Sequence, residues 1–293
     1  MDRRTFLLGA AASLAQAAND DIPILDIHQH TNYSGRTDDV LVAHQRKMGI
    51  TKTILLPAGS KYGLAAGAGG NDTVVAVAKK YPKEYVFFAN ELPDIPEARP
   101  VIEKYLKMGA IGIGEQKFPV DCDSPAMRLI ADIAKEYRVP VLMHFQHETY
   151  NFGMENMHKM LARYPTVNFI GHAQTFWVNI SKTSDQKTLY PTGKVVPGGI
   201  TDRLLADYPN LFADLSAGSG YNAFRRDPEH GREFIKRHQN KLLYGSDCSD
   251  HDGYGEKCSG AKQIAQMREL AADSKILRKI FWENSARLFR IKS

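Results

Sequence analysis

Short, nearly unbroken apolar runs recur at 23–28, 51–56, 85–89, 110–114, 139–144, 167–171, 211–215 and 242–245. Runs of this length, rich in Val, Ile, Leu and Phe and lacking polar alternation, predict strands buried on both faces, as in a parallel sheet. Between them apolar residues return every three to four positions, which predicts helices at 38–48, 72–81, 97–108, 124–137, 155–164, 201–208 and 228–238. Turn signals close several of them: Met48-Gly49, Tyr81-Pro82, Met108-Gly109, Tyr164-Pro165 and Tyr208-Pro209. Ser124 before Pro125 places a capping hydroxyl ahead of a first-turn proline. Stretches 261–270 and 275–289 complete an eighth unit. Eight strand–helix units within 293 residues predict an α/β chain folded as one (β/α)8 TIM barrel over 18–293. An open doubly wound sheet is the competing arrangement. No Gly-x-Gly-x-x-Gly follows the first strand, which argues against its dinucleotide-binding form.

The first 17 residues read differently. Arg3-Arg4 precede a short apolar stretch from Phe6 to Ala15, and Ala15-Gln16-Ala17 offers a small-x-small cleavage site. This layout is that of an export signal, and Arg-Arg-x-Phe-Leu resembles the twin-arginine address. The expectation is a periplasmic or secreted mature protein. No later segment is long and apolar enough to suggest membrane insertion.

Composition narrows the partners. A formal charge of +5, without a lysine or arginine run, argues against nucleic acid. Of the three cysteines, Cys248 and Cys258 are candidates to pair, leaving Cys122, although spacing does not fix connectivity. No Cys-x-x-Cys occurs, which argues against a structural zinc–thiolate site.

Candidate chemistry collects where the apolar runs end. The first ends in His28-Gln29-His30, and side chains at i and i+2 of a strand share a face. Two neighbouring neutral imidazoles suit one divalent ion. The fourth run ends in Glu115, with Lys117 beyond it. The fifth ends in His144, the sixth in His172 and the eighth in Asp247. In a barrel, the C-terminal strand ends carry the active site.

This set resembles the amidohydrolase superfamily, and within it the amidohydrolase-2 branch, which includes lactone hydrolases and decarboxylases. The resemblance rests on Asp26-x-His28-x-His30, Gly112-Ile-Gly-Glu115, Met143-His144, Ile170-Gly171-His172, Gly245-Ser246-Asp247 and the tail Glu283-Asn284-Ser285-Ala286-Arg287-Leu288-Phe289. It implies a TIM barrel holding one or two divalent ions, with zinc expected. By position, His28, His30 and Asp247 would hold the first ion, and Glu115 stands where relatives carry a bridging group. His144 and His172 would hold a second ion. In single-ion relatives the equivalent of His144 binds that ion, while the equivalent of His172 instead contacts water or substrate. Asp247 is the candidate general base and His172 the candidate oxyanion or water contact. Asp26 or backbone carbonyls are expected to fix the imidazole tautomers.

Three long segments lie at the same rim: the Gly- and Ala-rich 59–71, read as mobile with a ligand contact as the alternative, the long 173–200, read as a lid, and the loop after the seventh strand. Lys117, His147, Tyr221 and Arg225 are the candidate substrate-binding residues. His44, His158, His230 and His238 fall on predicted helices and read as surface. The leading expectation is a metal-dependent hydrolase that cleaves a C–O or C–N bond of a small polar molecule. The alternative is a metal-dependent decarboxylase on the same scaffold. A non-catalytic exported binding protein and a purely structural barrel are weaker alternatives. Homodimerisation is an expectation from the resemblance alone.

Overall fold

The structure, a computed structural model, describes residues 22–60, 67–271 and 273–292. The proposed export signal at 1–17 therefore lies outside the described residues. So does the middle of the loop 59–71.

Eight parallel strands appear in the expected order: β1 Leu25–Gln29, β2 Lys52–Leu55, β3 Tyr85–Phe87, β4 Ile113–Gln116, β5 Val141–His144, β6 Phe169–His172, β7 Leu211–Asp214 and β8 Leu242–Leu243. Ladders run continuously from β1 to β3 and from β4 to β8. Backbone bonds close both gaps. Ala89 N–H donates to Gly112 O at 3.0 Å and Gly114 N–H to Ala89 O at 2.9 Å, which joins β3 to β4. Ile27 N–H donates to Tyr244 O at 3.1 Å and Asp247 N–H to His28 O at 2.8 Å, which joins β8 to β1. The sheet is thus a closed barrel, which leaves no strand edge unpaired.

Helices follow the strands: α1 Asp38–Lys47, α2 Asn71–Lys80, α3 Ala98–Lys107, α4 Pro125–Tyr137, α5 Met157–Arg163, α6 Gln174–Val178, α7 Ile200–Asp207, α8 Ala217–Arg225, α9 Pro228–His238, α10 Ser259–Leu270, α11 Ser274–Arg278 and α12 Asn284–Phe289. The expected cap on α4 is present, with Ser124 Oγ accepting from Met127 N–H. The run 275–289 is not one helix. A π-turn at Lys279–Glu283 separates α11 from α12. Among the described residues no helix is long and apolar enough to cross a membrane.

Two hydrophobic layers result. Leu25, Ile27, Ile54, Leu56, Phe88, Leu142, Ile170, Phe212 and Leu243 fill the barrel interior, and Phe289 of α12 packs against them. The larger cluster lies between strands and helices. Strand alternation then aims the polar ends. His144 stands two residues after Leu142, His172 two after Ile170, and Asp214 two after Phe212, so all three point along the interior. The register is irregular between Asp26 and Gln29 on β1 and between Ile113 and Gln116 on β4. Such irregularities re-aim side chains. They bring His28, directly after interior Ile27, and Glu115 into the same group.

The segment 173–200, read as a lid, is anchored at its start, while most of 182–199 is exposed or half-buried. Its first part forms α6, whose Phe176, Trp177 and Val178 are buried in the core. Trp177 Nε1 donates to Asp214 O at 2.9 Å. Large aromatic side chains that can be covered by neighbouring helices go inside, and this outweighs the loop-like spacing. Three of the four helical histidines are also buried rather than on the surface: His44, His230 and His238. His238 Nε2 lies 2.6 Å from Asp202 Oδ1. His158 is exposed, as expected.

Candidate active site

His28, His30, Glu115, His144, His172 and Asp247 come together at the C-terminal mouth of the barrel. His28 Nε2 and His30 Nε2 are 3.2 Å apart. Asp247 Oδ1 lies 3.8 Å from the first and 3.5 Å from the second. Glu115 Oε2 lies 3.6 Å from both. His172 Nε2 is 3.7 Å from Glu115 Oε1 and 3.8 Å from Asp247 Oδ2. Asp247 is the member with a solvent-facing side chain, 14 % exposed, while His28 and Glu115 are sealed.

The outer imidazole nitrogens are already spoken for. His28 Nδ1 lies 2.6 Å from Asp214 Oδ2, and His30 Nδ1 lies 2.8 Å from Leu56 O. A carboxylate and a carbonyl can only accept, so each Nδ1 carries the donated proton. In the neutral rings both Nε2 atoms then present lone pairs across 3.2 Å, an arrangement that calls for a shared cation. Tetrahedral ligands at about 2.0–2.3 Å from an ion stand about 3.3–3.8 Å from one another, the spacing seen among these atoms. His28, His30 and Asp247 form one such three-donor group, and His28, Glu115 and His172 another. The residues present therefore fit a divalent ion.

The electrostatics point the same way. Burial pushes the His28 pKa down, but Asp247, Asp214 and Glu115 outweigh it and raise it well above the ordinary value. The carboxyls of Asp247 and Asp214 are held below the usual carboxylate range although burial opposes this, because His28 and its neighbouring imidazoles favour the charged forms. Glu115 is likewise held low against burial, by Lys117 and His144. The mouth is a buried anionic pocket prepared for positive charge.

His144 joins the cluster through Glu115. Its Nδ1 lies 2.5 Å from Glu115 Oε1, and its Nε2 is 3.5 Å from Gln146 Oε1. It belongs to neither three-donor group at the mouth. Burial lowers its pKa to about 4, so it is a neutral ring that orients Glu115. Asp26, expected to steady the imidazoles, instead accepts from His28 N–H, Ser246 N–H, Ser246 Oγ and Gln45 Nε2. It ties the end of β8 to β1.

Lys117 is half-buried near the mouth, with its ammonium 5.6 Å from the Tyr150 ring centre. His147 lines a cavity of about 620 Å³ with Glu148, Phe152, Gly153, Glu155 and Gln186, and none of the six mouth residues is among them. Tyr221 and Arg225 do not join the cluster. The chain enters α8 at Ala217, three residues after β7, so positions 221 and 225 lie one and two turns along a helix. Both line a groove against Lys262 and Glu256.

Three residues complete the site without having been singled out in the sequence. Asp214 Oδ2 also approaches His172 Nδ1 at 3.2 Å, and Ser216 Oγ lies 3.0 Å from the same nitrogen. Asp214 sits inside the seventh apolar run, in Leu211-Phe-Ala-Asp-Leu215, and a lone carboxylate in a buried strand was the available signal. Tyr33 stands edge-on to His30 with ring centres 5.0 Å apart. Burial and the facing Asp247 keep its phenol protonated. Nothing local in the sequence marks Tyr33.

A closed (β/α)8 barrel with paired imidazoles and carboxylates at its C-terminal mouth is the architecture of a metal-dependent amidohydrolase. The amidohydrolase family model matches residues 35–291, and the chain belongs to that family of enzymes. No curated protein matches in a sequence search. Solved structures share the fold at low identity. A TIM-barrel protein of Bordetella bronchiseptica superposes with TM-score 0.66 at 14 % identity, covering 92 % of this chain and 98 % of that one. A probable 2-pyrone-4,6-dicarboxylic acid hydrolase from Acinetobacter baumannii, solved with citric acid, gives TM-score 0.62 at 12 % identity, covering 92 % and 99 %. A 5-carboxyvanillate decarboxylase from Novosphingobium aromaticivorans, solved with manganese and a nitrobenzoic acid, gives 0.58 at 13 %, covering 93 % and 97 %.

Proposed function

We propose that this enzyme hydrolyses a C–O or C–N bond (in a lactone, ester or amide) of a small polar, carboxylate-bearing substrate. The observation that carries the reading is the placement of Asp247. It is the solvent-facing carboxylate of the cluster, within 3.5–3.8 Å of His28 and His30 and 3.8 Å of His172. A divalent ion held by His28, His30 and Asp247, zinc being our choice, would supply Lewis acidity that acidifies water and polarises a carbonyl. Asp247 accepts the proton of the attacking water and returns it to the leaving group. His172, with Nδ1 held by Ser216 and Asp214, turns the Nε2 lone pair toward the reacting centre, where it accepts from the attacking water and positions it. Tyr33 offers a second proton to that region. Lys117 contributes the positive charge that a substrate carboxylate seeks at the rim.

Decarboxylation of an aromatic acid is the second reading. It is favoured by the likeness to decarboxylases as well as to pyrone hydrolases. Turnover of a panel of lactones, amides and hydroxybenzoic acids in ¹⁸O-water separates the two. Hydrolysis places ¹⁸O in the product carboxylate. Release of CO₂ with no ¹⁸O in the organic product overturns the hydrolase reading.

A further inference from the structure

A second cluster of metal-binding atoms lies behind the mouth. We propose that His44, Cys248 and Cys258 form a binding site for a thiophilic metal ion of the zinc(II) or copper(I) class, with Met48 as fourth donor.

Three parts of the chain meet there. His44 and Met48 stand one turn apart at the end of α1, on one helix face. Cys248 directly follows Asp247, and Cys258 is the N-cap of α10. Both thiols are free and buried, and His44 is fully buried. Cys258 Sγ lies 3.5 Å from Cys248 Sγ, 3.5 Å from His44 Nε2 and 3.4 Å from Met48 Sδ. Two sulfurs and a nitrogen bound at about 2.3 and 2.0 Å around a tetrahedral ion stand about 3.5–3.8 Å apart. The edges meeting at Cys258 have that length without any rearrangement. The three ligand atoms of His44, Cys248 and Cys258 all lie within 4.8 Å of one another.

The surroundings suit a loaded site. His44 Nδ1 has no hydrogen-bond partner among the described residues, so the thiol is the imidazole's polar contact. Arg36 is 1 % exposed, and its described acceptors are the neutral oxygens of Asp250 and Gln29. Among the described residues no carboxylate hydrogen-bonds this buried guanidinium, which favours anionic charge nearby of the kind two metal-bound thiolates supply. Gly260 lets α10 close over the site, since a Cβ there would come within 2.8 Å of Met48 Sδ. Thiolate and thioether donors select soft ions over magnesium or calcium. Such an ion would tie the 248–258 loop, which begins one residue after Asp247, onto α1. The absence of Cys-x-x-Cys argued against a thiolate site only because the ligands come from distant segments.

The test uses the purified full chain and metal alone. Cobalt(II) titration of the wild type should give a thiolate-to-cobalt charge-transfer band, which the oxygen and nitrogen ligands at the mouth cannot produce. X-ray absorption of the zinc-loaded wild type should show sulfur neighbours and needs no variant. Cys248→Ser/Cys258→Ser should bind one equivalent less and lose the band. Anaerobic competition against a copper(I) chelator distinguishes the ions: Met48→Leu weakens copper(I) binding but leaves zinc binding unchanged if the thioether serves copper. A wild type with no sulfur neighbour and no band overturns the proposal. So does a Cys248–Cys258 disulfide, seen as a two-hydrogen mass loss, that persists after reduction and metal loading. Failure of the hydrolase reading leaves these readouts untouched.

Discussion

Asp214 Oδ2 stands 2.6 Å from His28 Nδ1 and 3.2 Å from His172 Nδ1, so one buried carboxylate on β7 holds two imidazoles from β1 and β6. It fixes both rings with Nε2 facing the mouth. Asp214→Asn keeps the size and removes the charge. The expected result is a 10–100-fold loss of metal affinity, as for other groups that orient a ligating histidine. Competition titration with a chromophoric chelator measures it. Unchanged affinity would reduce Asp214 to a packing residue.

Asp247 is expected to behave differently. Asp247→Asn should lower kcat by about 10²–10⁴, the usual range for a general base, while retaining much of the bound metal. Parallel metal analysis and steady-state kinetics on a substrate found in the panel check this. Near-normal turnover removes Asp247 from the base role.

Acid should destabilise the protein in two stages. The His144 imidazole is pushed down by burial from 6.5 to about 4. Its folded pKa is below the unfolded one, so the unfolded state binds more protons between these values. Its contribution is present above pH 6.5 and is lost as pH falls toward 4. The full loss is on the order of 3 kcal/mol. The carboxylates of Asp214, Asp247 and Glu115 are held low, so theirs is lost only as pH falls further. Melting curves of wild type and His144→Asn from pH 7 to 4 should converge. A gap that stays constant sinks the assignment.

Gly171 precedes His172 on β6, and a Cβ there would lie 2.0 Å from Phe176 Cε2. Gly171→Ala forces the α6 aromatic outward, at a cost of about 1–3 kcal/mol. Denaturant unfolding should show that loss together with reduced activity, because His172 moves with the strand. A variant as stable as wild type would mean that α6 repacks freely.

Much of the scaffold was legible in the chain. The strand runs read as buried parallel strands because each is covered on both faces, and continuous apolar runs are the signature of that burial. The mouth was legible because the polar residue ending each run stands out against the apolar ones. The roles within it were not. Asp214 hid within an apolar run. The link from His144 Nδ1 to Glu115, a carboxylate from the neighbouring strand, was not legible either. Nor was it legible that Tyr221 and Arg225, candidate substrate contacts, lie on α8 and line a groove against α10.

The same division explains the histidines and cysteines. Sequence spacing placed His44 on a helix, and that helix exists. Which side of it faces the protein depends on where the 248–258 loop crosses, more than 200 positions later in the chain. By itself the sequence determined the barrel, the order of its units and the set of strand-end donors, because these follow from local periodicity and from what interrupts it. Only the tertiary structure decided which nitrogen of each imidazole faces the mouth, which carboxylate holds it, and that His44, Cys248 and Cys258 meet. Those outcomes depend on distances between segments far apart in sequence, and closing the barrel is what sets them.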